Sequence, residues 1–247
     1  MARRPSEVPP ARVRELSAGA PSANLAESLS IDFAKLLKAT LPDLAPEAHK
    51  AMKAHAATPY TKRMAAASTI LLEHASAKQR RAVERHPSDT VKGWACYLVG
   101  MTAKNADEAI DRIRPFAADG HFGVREWAWL GVRHAIVAAP EDAIGHLAPS
   151  SLDASENIRR FASEATRPRG VWSAHIPLLK DNPARGLPIL DPLSDDPSRY
   201  VQNSVANWLN DAAKTRPDWV SDVCRRWRGA SSNAATAYIC RRATRSL

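Results

Sequence analysis

Apolar residues recur along the middle of the chain at helical spacing, in three runs that start the same way. Ile158, Phe161, Ala162 and Ala165 follow i, i+3, i+4, i+7 and predict one buried helix stripe. Val124, Trp127, Ala128 and Gly131 repeat that pattern upstream, and Val201, Val205, Trp208 and Ala212 repeat it downstream. Each run begins five residues after an Asp (Asp119, Asp153, Asp196) and continues into Arg125, Arg159 or Gln202. A weaker copy runs from Asp89 to Val91-Lys92, so that successive anchors lie 33, 34 and 43 residues apart. That period is the one expected of stacked helix pairs, an α-solenoid offering one concave face. No alternating strand pattern is present, Gly is sparse, and prolines at 42, 46, 59, 87, 115, 140, 149, 168, 183, 192 and 217 mark breaks. The reading is all-α, with a dozen to fourteen helices and no sheet.

The opposite stripes of the same helices line the predicted groove. One carries Glu156, Arg160, Glu164 and Arg167, the preceding one Glu126, Leu130 and Arg133, and the following one Asn203, Asn207, Asn210 and Lys214. Asp211 falls at the edge between buried and polar sides. Alternating Glu and Arg is ordinary solvated-helix chemistry worth tenths of a kcal/mol per pair. Three Asn on one helix sacrifice propensity, however, and their amides suit phosphate oxygens.

Charge sharpens the choice of partner. There are 35 Lys plus Arg against 26 Asp plus Glu, a net charge of +9, which favours nucleic acid first and an anionic membrane surface second. No apolar run is long enough to span a bilayer and no signal-peptide core opens the chain. Cys96, Cys224 and Cys240 lack metal-ligand spacing and suit a reducing compartment, and the eight His are scattered, so no metal is expected. Residues 1–28, with Pro5, Pro9, Pro10 and Pro21 among Arg3, Arg4, Arg12 and Arg14, are expected to be a disordered basic arm. Residues 29–247 are expected to form a single repeat domain.

Three stretches carry a family resemblance: Ile158-Arg-Arg-Phe-Ala-Ser-Glu-Ala-Thr-Arg-Pro-Arg-Gly-Val-Trp172, then Pro188-Ile-Leu190, then Asp195-Asp-Pro-Ser-Arg-Tyr-Val-Gln-Asn-Ser-Val-Ala-Asn-Trp-Leu-Asn-Asp-Ala-Ala-Lys214. Together they resemble the AlkC branch of the AlkC/AlkD DNA alkylation-repair glycosylases, most strongly over residues 119–228. The resemblance implies a HEAT-like superhelix with a basic concave groove that holds duplex DNA and removes N-alkylated, cationic bases, 3-methyladenine foremost, without metal or organic cofactor. By motif it places the acidic groups at Glu126, Glu164 and Asp211, a nucleotide-stacking Trp at Trp172, and phosphate contacts at Arg160 and Arg167. Arg133, Asn203, Asn207, Asn210 and Lys214 would line the same groove, and the basic end, including Arg225, Arg226, Arg241, Arg242 and Arg245, would add general phosphate attraction. Trp127, Trp208, Trp219 and Trp227 read as core, with Trp94 and Trp129 open. A monomer acting in the cytoplasm at the nucleoid is expected, and a chain ending at Leu247 leaves no room for the immunoglobulin-like domain of some members. Two departures stand out: Gln202 replaces an Arg, putting a phosphate contact in doubt, and Trp208 is bulkier than the polar residue expected. The competing reading is a non-catalytic HEAT-like scaffold for nucleic acid or protein. Glu126 and Glu164 argue against it, because a pure phosphate binder gains nothing from carboxylates in its groove.

Overall fold

Helix starts are set by side chains that satisfy the unpaired first-turn N–H groups or need none. In the computed structural model, which describes residues 4–247, Asn24, Asp32, Asn105 and Asn233 each accept a first-turn backbone N–H, and Ser76 forms a reciprocal capping box with Gln79. Pro10, Pro46, Pro140, Pro177 and Pro217 open helices, where the missing N–H costs nothing. Several predicted breaks are therefore starts. Pro115 is different: it lies inside a helix ending at Ala117, where losing a bond near the last turn is tolerated.

The described residues form sixteen α-helices, four short 3-10 segments and no strand, slightly more helices than the pattern predicts because short ones escape periodicity. They are α1 Pro10–Ser17, α2 Leu25–Ser30, α3 Phe33–Thr40, α4 Pro46–Ala54, α5 Tyr60–His74, α6 Ala77–Glu84, α7 Asp89–Thr102 and α8 Ala106–Ala117. There follow α9 Phe122–Ala138, α10 Pro140–Leu147, α11 Glu156–Ala165, α12 Pro177–Asp181, α13 Leu187–Leu190, α14 Arg199–Ala213, α15 Pro217–Ala230 and α16 Ala234–Ala243. The four anchors Val91, Val124, Ile158 and Val201 lie near the starts of α7, α9, α11 and α14 and are fully or almost fully buried. No helix among the described residues is long and apolar enough to cross a membrane.

Where the sequence predicts a single domain, the contacts divide the chain into two compact units. The first holds the residues up to Thr102 together with Gly120–Gly131; the second holds Ala103–Asp119 and Val132–Leu247. In the first, Phe33 meets Tyr60 edge-on and Tyr60 stacks on Trp127, both at 5.2 Å, beside fully buried Trp94. Trp129 is also core, and Leu130, expected on the groove side, is buried. Gly131 permits close helix approach, since a Cβ there would stand 2.5 Å from the Cys96 carbonyl oxygen.

The expected disordered arm is not what residues 4–28 form. Leu16 is fully buried, Arg12 pairs with Glu27 at 2.9 Å and bonds the Pro21 carbonyl, and Ser22 gives both its N–H and hydroxyl to Asp89. The local composition could not reveal a partner 67 residues away. Met1, Ala2 and Arg3 lie outside the described residues.

In the second unit α11 packs on α14 and α14 on α16. The motif aspartates prove to be loop braces: Asp153 accepts the Ser155 N–H and Asp196 the Ser198 N–H, each two residues ahead. The motif Arg ties one repeat to the next, with Arg159 donating to both Asp196 oxygens and to the Asp153 and Ala154 carbonyls. Gln202, at the equivalent place in α14, is buried and donates to the Asp196 carbonyl. Gln202 thus braces the loop before α14, as Arg159 braces the loop before α11. Trp208 is fully buried, bonds Thr166 through its indole N–H, and rests where a Cβ on Gly186 would come within 2.5 Å of its ring. Gly186→Val is expected to destabilise the fold by about 1–3 kcal/mol through overpacking. A thermal melt of the variant unchanged from wild type would contradict this packing.

Candidate functional site: a buried carboxylate and guanidinium cluster

Helix α11 and the loop after it deliver most of the expected site. Pro168 disfavours helical backbone at Arg167, and α11 ends at Ala165. Arg167 turns back between two helices: its Nη1 donates to Glu164 Oε1 at 2.7 Å, while Nε and Nη2 reach Asp211 Oδ2 at 2.9 and 2.8 Å. Glu164 Oε2 accepts the Ser204 hydroxyl at 2.6 Å, and Ser204 in turn accepts from Ser163 at 2.8 Å. Arg160 Nη2 stands 3.5 Å from Glu164, with its guanidinium over the Tyr200 ring. Lys214 reaches Asp211 at 3.5 Å with half its side chain exposed. Sequence spacing alone leaves Asp211 at an edge; the fold joins it to Glu164 through one guanidinium.

Both acids are deeply buried, each 4% exposed. Burial by itself raises the Glu164 pKa, but Arg160, Arg167 and the Ser204 hydroxyl outweigh it, and the net shift is downward. Glu164 is therefore held as a carboxylate in a low-dielectric setting. Two guanidiniums beside one carboxylate favour its ionised form. Arg167 is moved the complementary way: burial opposes its charge, Glu164 and Asp211 overcome that, and its pKa rises.

Arg133 does not line a groove. It is 2% exposed, and its guanidinium donates to three carbonyls: Ala165 at 2.6 Å, Arg167 at 2.6 Å and Ala174 at 2.9 Å. The first two close the end of α11 and the third lies on the far leg of the loop, so one buried side chain clamps both legs of residues 166–175. Burial and neighbouring Arg167 lower its pKa to about 10, against the pull of Glu164 and Asp211, which leaves it charged at neutral pH. The helical position that predicted a phosphate contact instead points under the loop, because each end of that loop leaves carbonyls without a helical partner. Ile176 N–H to the Pro168 carbonyl closes the loop base.

At the tip of that loop stands Trp172. It is 53% exposed and has φ +59°, the only non-glycine positive φ among the described residues. A large aromatic in left-handed backbone is held there by its surroundings at a cost of about 1–3 kcal/mol. Val171 beside it is equally exposed. The expected stacking residue is thus presented outward on a braced loop.

Of the three asparagines Asn210 is corrected, while the other two accept bonds within the chain through their amide oxygens. Asn203 accepts the Tyr238 hydroxyl, Asn207 accepts from Arg245, and Asn210, 7% exposed, donates to the Ala243 carbonyl and the Ser246 hydroxyl. Their cost in helix propensity is offset by ties from α14 to α16. Asn210 in particular has its donors committed inside the chain. Arg225 pairs with Asp222 and Arg226 with Asp191, the latter carboxylate also accepting from the Trp227 indole, so neither arginine adds an unpaired charge. Trp219, expected in the core, is half-buried at 6.3 Å from Trp208. Glu126, in the first unit, is partly exposed and accepts the Trp129 indole N–H at 2.8 Å. What the sequence reading missed is Ser204: a small hydroxyl on the buried side of α14 signals nothing until α11 is laid against it.

No family model matches the chain. A solved alkylpurine DNA glycosylase, AlkC of Pseudomonas fluorescens bound to DNA containing an abasic-site analogue, is 25% identical with a TM-score of 0.70; the likeness covers 100% of this chain and 65% of that one. AlkD2 of Streptococcus mutans is 19% identical with a TM-score of 0.60, over 87% of this chain and 97% of that one, a likeness of fold. An uncharacterised Bacillus subtilis protein, YhaZ, is 38% identical over 141 residues, which is 57% of this chain and 37% of that protein. The chain thus spans under two thirds of both AlkC and YhaZ.

Proposed function

We propose, for a chain that belongs with the AlkC/AlkD family by its HEAT-like fold and its motifs, that it is a DNA glycosylase removing N-alkylated, cationic bases from duplex DNA. The observation that carries this reading is the buried Glu164–Arg167–Asp211 ion-pair cluster at the end of α11, followed along the chain by an outward Trp172 held in strained backbone. The support from relatives is the likeness to a DNA-bound alkylpurine glycosylase over the whole of this chain.

An N3-alkylated adenine is a cation while bonded to deoxyribose and leaves as a neutral base, so no acid is needed to activate it. Cleavage transfers the positive charge to the sugar as an oxocarbenium-like centre. Carboxylates in a low-dielectric site stabilise that charge far better than water, and one of them accepts the proton of the water that adds to C1′. Glu164 and Asp211 are assigned these roles; Glu126, in the first unit, is a further candidate on its motif alone. Trp172 would offer its π face to the cationic base. Lys214, half exposed, would take a flanking phosphate, whereas Arg160 and Arg167, buried against Glu164 and Asp211, would hold the carboxylates in place and are corrected as phosphate contacts. The assigned lesion is 3-methyladenine first, with 3-methylcytosine second, and the enzyme would work at the nucleoid, as a monomer and without a bound metal or cofactor.

One observation favours the scaffold reading instead: both Glu164 oxygens already have partners inside the chain, as a purely structural ion network would. Methylated duplex decides between them. Wild type is expected to release 3-methyladenine, identified by chromatography, and to leave alkali-labile sites at an equal rate with or without EDTA. Duplex binding with no base released would leave the scaffold standing.

A further inference from the structure

Tyr238, in α16, carries a concentration of positive charge that the lesion chemistry does not use. Its hydroxyl donates to Asn203 Oδ1 at 2.8 Å, which pins the ring against α14. Arg199 lies over the ring with its guanidinium carbon 3.5 Å from the centroid, and Arg241 and Arg242 stand at 5.5 and 5.6 Å. Among the described residues none of these three arginines forms an ion pair. Arg242 Nε is moreover buried without a hydrogen-bond partner, a donor whose desolvation nothing repays. Three like charges around one ring gain only about 0.5–1 kcal/mol each from the π face at an exposed site, and they repel one another. Such an arrangement is stabilised by an anion from outside.

We propose that Arg199, Arg241 and Arg242, held on Tyr238, form a platform for backbone phosphates of duplex DNA, separate from the lesion-binding residues. A guanidinium lying face-on to an aromatic ring keeps its N–H edge for phosphate oxygens, the geometry in which Arg binds phosphate with two parallel bonds. Arg245, bonded at 3.0 Å to Asn207, one turn along α14 from Asn203, extends the positive surface by about 6 Å. Four guanidiniums spread over that turn exceed the charge of one small anion, whereas a strand with one charge per ~3.4 Å of axis supplies several phosphates to them. That spread of charge favours a nucleic-acid backbone.

The inference rests on DNA being the partner, and its test uses undamaged duplex, so that it can fail or hold whatever happens to base release. Affinity is measured from about 50 to 300 mM salt, a range over which counterion release makes phosphate contacts visible. Replacing Arg199, Arg241 and Arg242 by Gln is expected to flatten the slope of log K on log salt by about two to three, and to weaken binding about a hundredfold near physiological salt. The triple Lys variant should keep most of the slope, because charge persists where stacking is lost. If the triple Gln protein does not fold, Arg241→Gln alone, at an exposed residue, should flatten the slope by about one. Unchanged slope and affinity would overturn the proposal, as would an equal loss in the Gln and Lys proteins, which would mean packing and not charge. Loss of binding to phosphatidylserine vesicles with duplex binding intact would overturn it in favour of a membrane surface.

Discussion

Glu164→Gln is expected to slow release of 3-methyladenine from methylated duplex by about 10²- to 10³-fold, the usual effect of removing one preorganised electrostatic group from a reacting centre. Binding to the same duplex should change by no more than a few fold, because Glu164 repels phosphate. The substitution keeps shape and hydrogen-bonding capacity but leaves Arg160 and Arg167 facing a neutral amide. It therefore also carries a stability cost of about 3 kcal/mol or more, the order seen when one partner of a buried ion pair is removed. The pH dependence follows from the sign of the shift. The Glu164 pKa is lowered on folding, so its contribution is fully present above the ordinary carboxylate range and is lost as pH falls through the lower, folded value. Wild-type release should show no step from this group between about pH 7 and 5. The melting-point gap between wild type and Glu164→Gln should narrow only in stronger acid. A variant that releases base at the wild-type rate would show that Glu164 is not catalytic; a gap that narrows already near neutrality would show that the carboxylate is not held ionised.

Arg133→Met should have the largest effect on stability. It strands the carbonyls of Ala165, Arg167 and Ala174, and each unsatisfied buried group costs about 1–3 kcal/mol, giving roughly 3–5 kcal/mol after relaxation. The loop carrying Trp172 loses both of its ties at once. Trypsin cleavage after Arg169 should accelerate at temperatures well below global unfolding, because that bond lies inside the released segment and Arg167 is protected by Pro168. Arg133→Lys, with three donors on a shorter head, should recover part of the stability and less of the loop protection. A protein with methionine at this position that melts with wild type, and whose loop resists trypsin equally, would remove Arg133 from its role as the clamp. The effect on base release is expected to follow the loop: the maximal rate falls while duplex affinity changes little.

Much of this protein is legible in one dimension. The i, i+3, i+4, i+7 stripes name the buried faces of α9, α11 and α14, since any helix with such a stripe must bury it. The repeated Asp with Val or Ile and then Arg or Gln marks successive repeats, and the motif around Glu164 names the acid that the fold then buries beside two arginines. These are local properties, written within one or two turns. Partnership across the chain is not. Arg133 and Asn210 both sit where a helical wheel predicts groove residues, yet each is consumed by atoms 32 to 41 residues away. Residues 4–28 read as disordered by composition and are ordered by Glu27 and Asp89.

The periodicity of its apolar side chains by itself determined that this chain is a stack of helices and which faces meet. Only the tertiary structure decided which polar side chains are spent on bracing, at Arg133, Arg159 and the α14 asparagines, and which remain as Glu164, Asp211, Trp172 and the arginines around Tyr238. Burial of apolar area depends on spacing along one helix and is nearly independent of sequence-distant detail. A hydrogen bond or ion pair depends on a few tenths of an ångström between atoms that only the folded chain brings together.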